Sequence, residues 1–397
     1  MNGWCKRELG DLCERITVGH VGSMASRYVT AGVPFLRSQN VKAGRLDLSA
    51  LKYIDQEFHA QLSKSRLDAG DLVIVRTGEP GTAAVVPKGI GPLNCADLVI
   101  AKPRRDVSAE FLSYAINETA QEFVRAHTVG AVQQHFNVTS AKKLVLHVPP
   151  MAEQRAIVEV LGALDDKIAL NERIRETTLG LARACYEESG AGGEPEFIRD
   201  LAELFDGPHA TPQKTETGPW FLSISSLKNG YLDLSESAHL SEEDFPRWTR
   251  RVHPQAGDVL FSYETRLGDA ALMPSGIRGS LGRRMALLRS KSATISGSLL
   301  LHAYLNPAFQ EEIKRRTVHG ATVDRLPLKE MPGWRISLPA QGERERLSAK
   351  FDALHASVTQ GANENRTLAD LRDTLLPQLL SGQLRVKDAI RTVEEVV

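Results

Sequence analysis

"LHVPPMAEQRAIVEVL", residues 146–161, closes an apolar strand-like run, sets two prolines and launches a helix, and a near-copy, "ISLPAQGERERLSAKF", returns at residues 336–351. At an offset of 190 residues Pro149 falls on Pro339, Glu153 on Glu343, Ile157 on Leu347, and Ala163 and Leu164 on Ala353 and Leu354. The match continues with Ile168 on Val358, Thr177 on Thr367 and Leu181 on Leu371. Upstream the offset slips to 186 or 187, as loop insertions cause: "FLRSQNVKAGRLDL" (35–48) lies on "FLSISSLKNGYLDL" (221–234), and "AGDLVIV" (69–75) on "AGDVLFS" (256–262). The chain is one unit, duplicated and diverged.

Each unit has two parts with different periods. The first is built of short β-rich runs such as "DLVIV", "AAVVP", "LVIAKP" and "KLVLHV", separated by Gly, Pro, Asn and Asp turn signals. The second starts after Pro149 or Pro339 and carries apolar residues three and four apart, the mark of one helix face. In the first copy these are Ile157, Leu161, Leu164, Ile168 and Leu181; in the second, Leu347, Phe351, Leu354, Val358, Leu368, Leu371 and Leu375. Glu153, Glu343 and Glu345 suit the positive end of such helices.

A helix from Met151 to Tyr186 would run about 54 Å, longer than a small lobe needs. Its stripe is narrow and interrupted by Asn171 and Arg175, as the other is by Gly361 and Asn365, so neither helix is stable alone. Equivalent stripes pack on each other, as an antiparallel coiled coil. The expected fold is therefore α+β: two mixed, largely β lobes separated by two long antiparallel helices, with an internal pseudo-twofold. The expected boundaries are a first lobe at 1–150, a helix at 151–189, a second lobe at 190–339, a helix at 340–380 and a C-terminal tail at 381–397. "SGAGGEPE" (189–196) reads as a flexible linker.

Composition bounds the rest. The 397 residues suffice for two or three cored domains, and 42% hydrophobic with 25% charged residues is ordinary for a globular chain. Cys5, Cys13, Cys95 and Cys185 form no C-x-x-C pair, so neither a zinc site nor a disulfide framework is expected, and a reducing cytoplasm fits. No signal-like or membrane-length apolar run is present. The net charge of zero hides a pattern: 1–150 hold 18 basic against 14 acidic residues, and 199–339 hold 18 against 16. The helical segments 151–198 and 340–397 are acidic, at 5 against 10 and 8 against 9. If such lobes meet nucleic acid, local clusters or a partner must supply much of the phosphate neutralisation.

Two variable lobes, each followed by a helical segment, with "PPMAEQRAIVEVLGALDDKIALNERI" after the first and "LADLRDTLLPQLLSGQL" near the end, resemble the specificity subunit of type I restriction-modification systems. The resemblance spans the chain and rests on order, spacing and duplication together. It implies that each lobe is a target-recognition domain reading one half of a split double-stranded DNA sequence, while the helices set the gap. It also implies partners: DNA adenine-methyltransferase (modification) subunits, two of them, and motor-nuclease (restriction) subunits. Methylation and cleavage belong to those partners, so no catalytic residue, cofactor or metal is expected in this chain.

The residues agree. "NPAF" (306–309) resembles the tetrad with which amino-methyltransferases grip a flipped adenine, but it lacks the second proline and no Gly-rich methyl-donor loop precedes it. It reads as a turn on a helix surface. No phosphate loop, nucleophile elbow or H-E-x-x-H occurs, and "SAKK" (140–143) reads as a solvated basic edge.

Reading bases takes Arg or Lys for guanine and Asn or Gln for adenine. Three turn-adjacent clusters offer these in the first lobe: "RSQN" with Arg37, Gln39 and Asn40; "RTGE" with Arg76 and Thr77; and "VGAVQQHFN" with Gln133, Gln134, His135 and Asn137. Three stand at corresponding places in the second: "SLKN" with Lys228 and Asn229; "YETR" with Tyr263, Thr265 and Arg266; and "HGATVDR" with Thr322 and Arg325. "RGSLGRR" (278–284), with Arg283 and Arg284, suits phosphates, as do "RRVH" (250–253), "KPRR" (102–105) and "KRR" (314–316). Shared positions with different side chains fit two lobes of one scaffold reading different bases. The same residues also fit a stand-alone DNA-binding regulator, or a coiled-coil adaptor whose lobes bind protein; a steep salt dependence of duplex binding separates DNA contact from the adaptor.

Overall fold

The computed structural model describes residues 3–127, 136–189, 193–228, 230–320 and 323–396. It divides into two compact units, one of residues 1–167 with 367–397, the other of residues 168–366.

In the first unit the apolar runs become a four-stranded antiparallel sheet in the order Cys13–Val18, Leu98–Pro103, Leu72–Val75, Ala83–Val85. Leu72, Val73, Ile74 and Val75 are all buried, which explains a run without alternation: both faces of this strand are covered. A second sheet is ordered Lys52–Ile54, Val33–Leu36, Leu93–Cys95, Arg66–Leu67, with its central pair parallel. The helix Ala109–His127 is opened by Ser108, whose hydroxyl accepts from the Phe111 amide at 3.2 Å. Its Asn117 clamps the sheet edge, accepting from Ala83 N–H and donating to Ala83 C=O, both at 2.9 Å.

The second unit repeats this plan. Its antiparallel sheet runs Ala202–Asp206, Met285–Ser290, Val259–Ser262, Ala270–Leu272, and its other sheet again pairs two strands in parallel, Thr215–Phe221 with Gly279–Ser280. Each unit also carries a two-stranded hairpin, Val41–Lys42 with Arg45–Leu46 in one and Leu227–Lys228 with Tyr231–Leu232 in the other. The duplication read from sequence is thus a duplication of topology.

Two long helices carry the repeated stretches, Met151–Glu188 of 38 residues and Arg344–Leu380 of 37. Within the second unit they run antiparallel: Lys350 Nζ lies 3.0 Å from Cys185 Sγ, while Asn171 meets Glu364 and Asn365, each at 2.8 Å. Asn171 and Asn365 therefore form a polar layer, with Gly361 beside Asn171, while Arg175 lies over the Tyr231 ring. Here the helices share a core with the sheet, since Ala182, Tyr186, Leu347 and Phe351 are buried in one cluster with Phe261, Tyr304 and Trp334. In the first unit Arg372 reaches Asp165 at 2.9 Å, and Asp165 also accepts from the Tyr114 hydroxyl at 2.6 Å.

Of the stripe residues, Ile157, Leu161, Leu164, Leu347, Phe351, Val358, Leu368 and Leu375 are buried, and Ile168, Leu354 and Leu371 half-buried. Leu181 corrects the expectation: it is 49% exposed, and the buried positions around it are Leu179, Ala182 and Tyr186. A 3.6-residue turn drifts off a seven-residue repeat, so thirteen residues past Ile168 the packed face has moved on. The stretch read as a linker also tightens: Glu196 sits in a strand paired with Arg335–Ile336 and forms an ion pair with Arg344, while Gly193 N–H donates to Leu338 C=O. The tail holds a further helix, Val386–Val396.

Candidate nucleic-acid interface

In each lobe the described parts of the second and third clusters are joined by backbone hydrogen bonds, and the hairpin beside the first cluster is bonded to the same sheet. In the second unit the strand Val259–Ser262 ends in the loop bearing Tyr263, Thr265 and Arg266. The third cluster closes onto it, with Leu326 N–H donating to Tyr263 C=O at 2.8 Å and Thr265 N–H to Asp324 C=O at 3.4 Å. The first cluster joins through the hairpin, where Gly230 N–H donates to Ala270 C=O at 3.0 Å. The first unit is built alike: Phe136 N–H donates to Arg76 C=O at 3.0 Å, and Gly44 N–H to Ala83 C=O at 2.9 Å.

Individual side chains divide into those occupied by the fold and those presented to solvent. Asn40 is 1% exposed, accepting from Arg37 N–H at 3.1 Å and donating to Asp47 C=O at 3.0 Å, so its amide holds the loop together. Arg37 donates to Ala50 C=O at 2.9 Å, and Gln39 beside it is exposed. Asn137 caps the short helix Val138–Lys142 through the Ser140 N–H at 2.9 Å. Tyr263 is buried with its hydroxyl 3.4 Å from His209 Nδ1, and burial, then Asp206, pushes its ionisation up. Gln133, Gln134, His135, Asn229 and Thr322 lie outside the described residues.

The cations are mostly braced by acids. Arg76 pairs with Asp97, whose other oxygen lies 3.5 Å from Thr77 Oγ1. Arg266 pairs with Asp269 at 2.6 Å, Arg284 with Glu264 at 2.9 Å, and Lys228 lies 3.9 Å from Glu236. Burial holds the Asp269 carboxyl above its usual range, against the opposing pull of Arg266. Arg283 and Arg325 are exposed with no acid partner among the described residues. The phosphate candidates are paired too: Arg251 with Asp206 at 3.2 Å, Arg278 with Glu242 at 2.6 Å, Lys102 with Asp68 and Asp71, and Arg315 and Arg316 with Glu312. Each pairing sets an acid beside a base, so the local positive field is weaker than the number of cations alone gives.

Such a surface offers oriented hydrogen-bond donors and acceptors. Asn306 of "NPAF" caps the helix Pro307–Arg316 by accepting from Ala308 N–H at 3.0 Å, a structural task. Burial pushes the Cys13 thiol up to about 12 and raises Cys95 too, so neither is a poised nucleophile. Among the described residues no cluster of His, Cys, Asp or Glu is arranged to hold a metal ion, and no helix is long and apolar enough to cross a membrane.

Sequence reasoning missed Asp97 and Glu264 as partners of the candidate arginines. A signal was present: Asp97 aligns with Arg284, so an acid in one copy stands where the other has a base.

Comparison with known proteins gives one answer at three levels. The model of the type I restriction modification DNA specificity domain matches residues 1–178. A putative type I restriction enzyme specificity subunit of Methanocaldococcus jannaschii is 19% identical over 97% of this chain and 94% of its own. The EcoKI specificity subunit of Escherichia coli is 24% identical over 58% of this chain and 54% of its own. The crystal structure of a type I restriction-modification S subunit from M. genitalium aligns with a TM-score of 0.58 at 14% identity, covering 96% of each chain, and so shares the fold.

Proposed function

We propose that this chain, which belongs to the specificity-subunit family of type I restriction-modification systems, reads a split DNA target with one half assigned to each lobe. DNA sequence specificity is the role of the family. The observation that carries the finer reading is the pairing of one topology with two chemistries: the four-stranded antiparallel sheet has the same order in both units, yet the loops at corresponding places bear Arg76 and Thr77 in one and Glu264, Thr265 and Arg266 in the other. One scaffold with two sets of donors suits two different half-sites.

In this reading Arg76, Arg266, Arg284, Arg325, Lys228 and Gln39 supply base-edge or backbone contacts in the cytoplasm, and the long helices set the gap between half-sites. The chain performs no chemistry itself and scaffolds adenine-methyltransferase subunits, with a motor-nuclease where the system restricts. A docking surface for them is supported by Leu170, Ile174 and Leu181, which stand 43–49% exposed at helical spacing along the first long helix.

Expression together with a modification subunit in a host free of DNA methylation, followed by single-molecule mapping of modified adenines, tests the reading. A motif of two specified blocks around an unspecified gap is expected. A single contiguous block would refute the assignment of one half per lobe.

A further inference from the structure

Three non-glycine residues among those described have left-handed backbone, and two of them occupy the same place in the two units. Asp97, with φ 42°, immediately precedes the strand Leu98–Pro103; Arg284, with φ 71°, immediately precedes Met285–Ser290. They are 187 residues apart, as are the strands that follow them (98 to 285) and those beside them (72 to 259). Each reaches to the loop that ends the neighbouring strand. In the first unit the turn carries the acid and the loop the base, Asp97 with Arg76; in the second the turn carries the base and the loop the acid, Arg284 with Glu264. The third left-handed residue, Thr265 at φ 70°, is tied into the second pair, its hydroxyl accepting from Arg284 Nη1 at 3.2 Å.

A turn that needs only a left-handed residue takes glycine without strain, so charged side chains held there in both units point to a task. Phosphate attraction is a poor candidate, because an acid beside each arginine cancels the charge that counterion release rewards. Base reading has the opposite requirement. A guanidinium that donates in parallel to guanine O6 and N7 must be held in one plane, and a carboxylate on its inner side does this. Both pairs are partly open to solvent, with side-chain exposures of 21% for Arg76 and 29% for Arg284.

We propose that Arg76 and Arg284 each read the guanine of one G·C pair, one in each half-site, and that Asp97 and Glu264 are the positioning residues that fix them to that base. This rests on the reading of each lobe as the reader of one half-site. The reversal of acid and base between turn and loop makes the two lobes non-identical readers of the same kind of base pair.

The test uses the full chain, a duplex pool of randomised sequence, and sequencing of the bound fraction. The unaltered chain enriches a two-part motif with one G·C pair fixed in each half; if it enriches no two-part motif, the proposed function itself fails. Asp97→Asn should lower the preference for guanine at one position of the first half by about ten-fold, within the range of a lost bidentate contact, and leave the second half as it was. Glu264→Gln should do the converse. Arg76→Tyr and Thr77→Glu together with Asp97→Arg, which place tyrosine, acid and base where the second lobe has Tyr263, Glu264 and Arg284, should restore a fixed G·C pair. If both single variants keep the guanine preference, or if a whole half loses selection and the triple exchange restores nothing, these acids serve only the fold and the proposal is overturned.

Discussion

Asn171 of the first long helix donates its side-chain amide to Asn365 Oδ1 of the second at 2.8 Å, and Asn365 in turn donates to Ile168 C=O at 3.3 Å. Asn171 is 7% exposed, so this polar contact is buried between the two helices and fixes which of their turns face each other. Asn171→Ala strands its partners and should lower the stability of the second unit by about 1–3 kcal/mol. Replacing Asn171 and Asn365 by leucine and Glu364 by glutamine together removes the donor, the amide acceptor and the charge, and should cost much less. Denaturant midpoints of the two variants check this; an equal loss in both would show that shape, not the amide pair, matters.

A second buried polar contact links the lobe to the helix. His302 and His355 meet through their Nε2 atoms at 3.0 Å, and both are buried. Burial, then His355 and Arg183, lowers the His302 pKa to about 3; burial lowers that of His355 to about 4 against the pull of Asp352. The unfolded chain protonates both near 6.5, so between that pH and about 4 the unfolded state binds more protons and stability falls as the pH falls. The slope is up to about 1.4 kcal/mol per pH unit for each histidine. His355→Gln should flatten it by about that amount, measured as denaturant midpoints from pH 7 down to pH 5. Parallel slopes for variant and parent would remove the histidine from the explanation.

Much of this was legible in the sequence because duplication writes itself twice. Pro149 on Pro339 and "AGDLVIV" on "AGDVLFS" locate the lobes and helices without a structure. The sheet order was not legible, since strand partners such as Leu98–Pro103 and Cys13–Val18 are some eighty residues apart and pair by tertiary packing. Leu181 misled because an apolar residue at a helical interval marks a face only while the interval keeps step with 3.6. Asn40 and Asn137 show a second ambiguity: amides that suit adenine suit turns and caps equally, and their hydrogen bonds show that each also performs a structural task.

Leu181 instead joins Leu170 and Ile174 as exposed apolar residues. Ile174→Asp should leave the chain's own thermal stability within about 0.5 kcal/mol, as a surface change does. It should reduce co-purification with the modification subunit. A variant that folds and still recovers the subunit in full would move the docking surface elsewhere.

Reading by separable lobes is tested most directly by a chain whose second lobe is replaced with a copy of the first, joined at the matched prolines Pro149 and Pro339, expressed with the modification subunit and mapped for methylated adenines. The account predicts a two-part motif in which both halves specify the bases read by the first lobe, with the gap retained. A motif that keeps the original second half, or one that loses its two-part form while the chain remains folded, would contradict it.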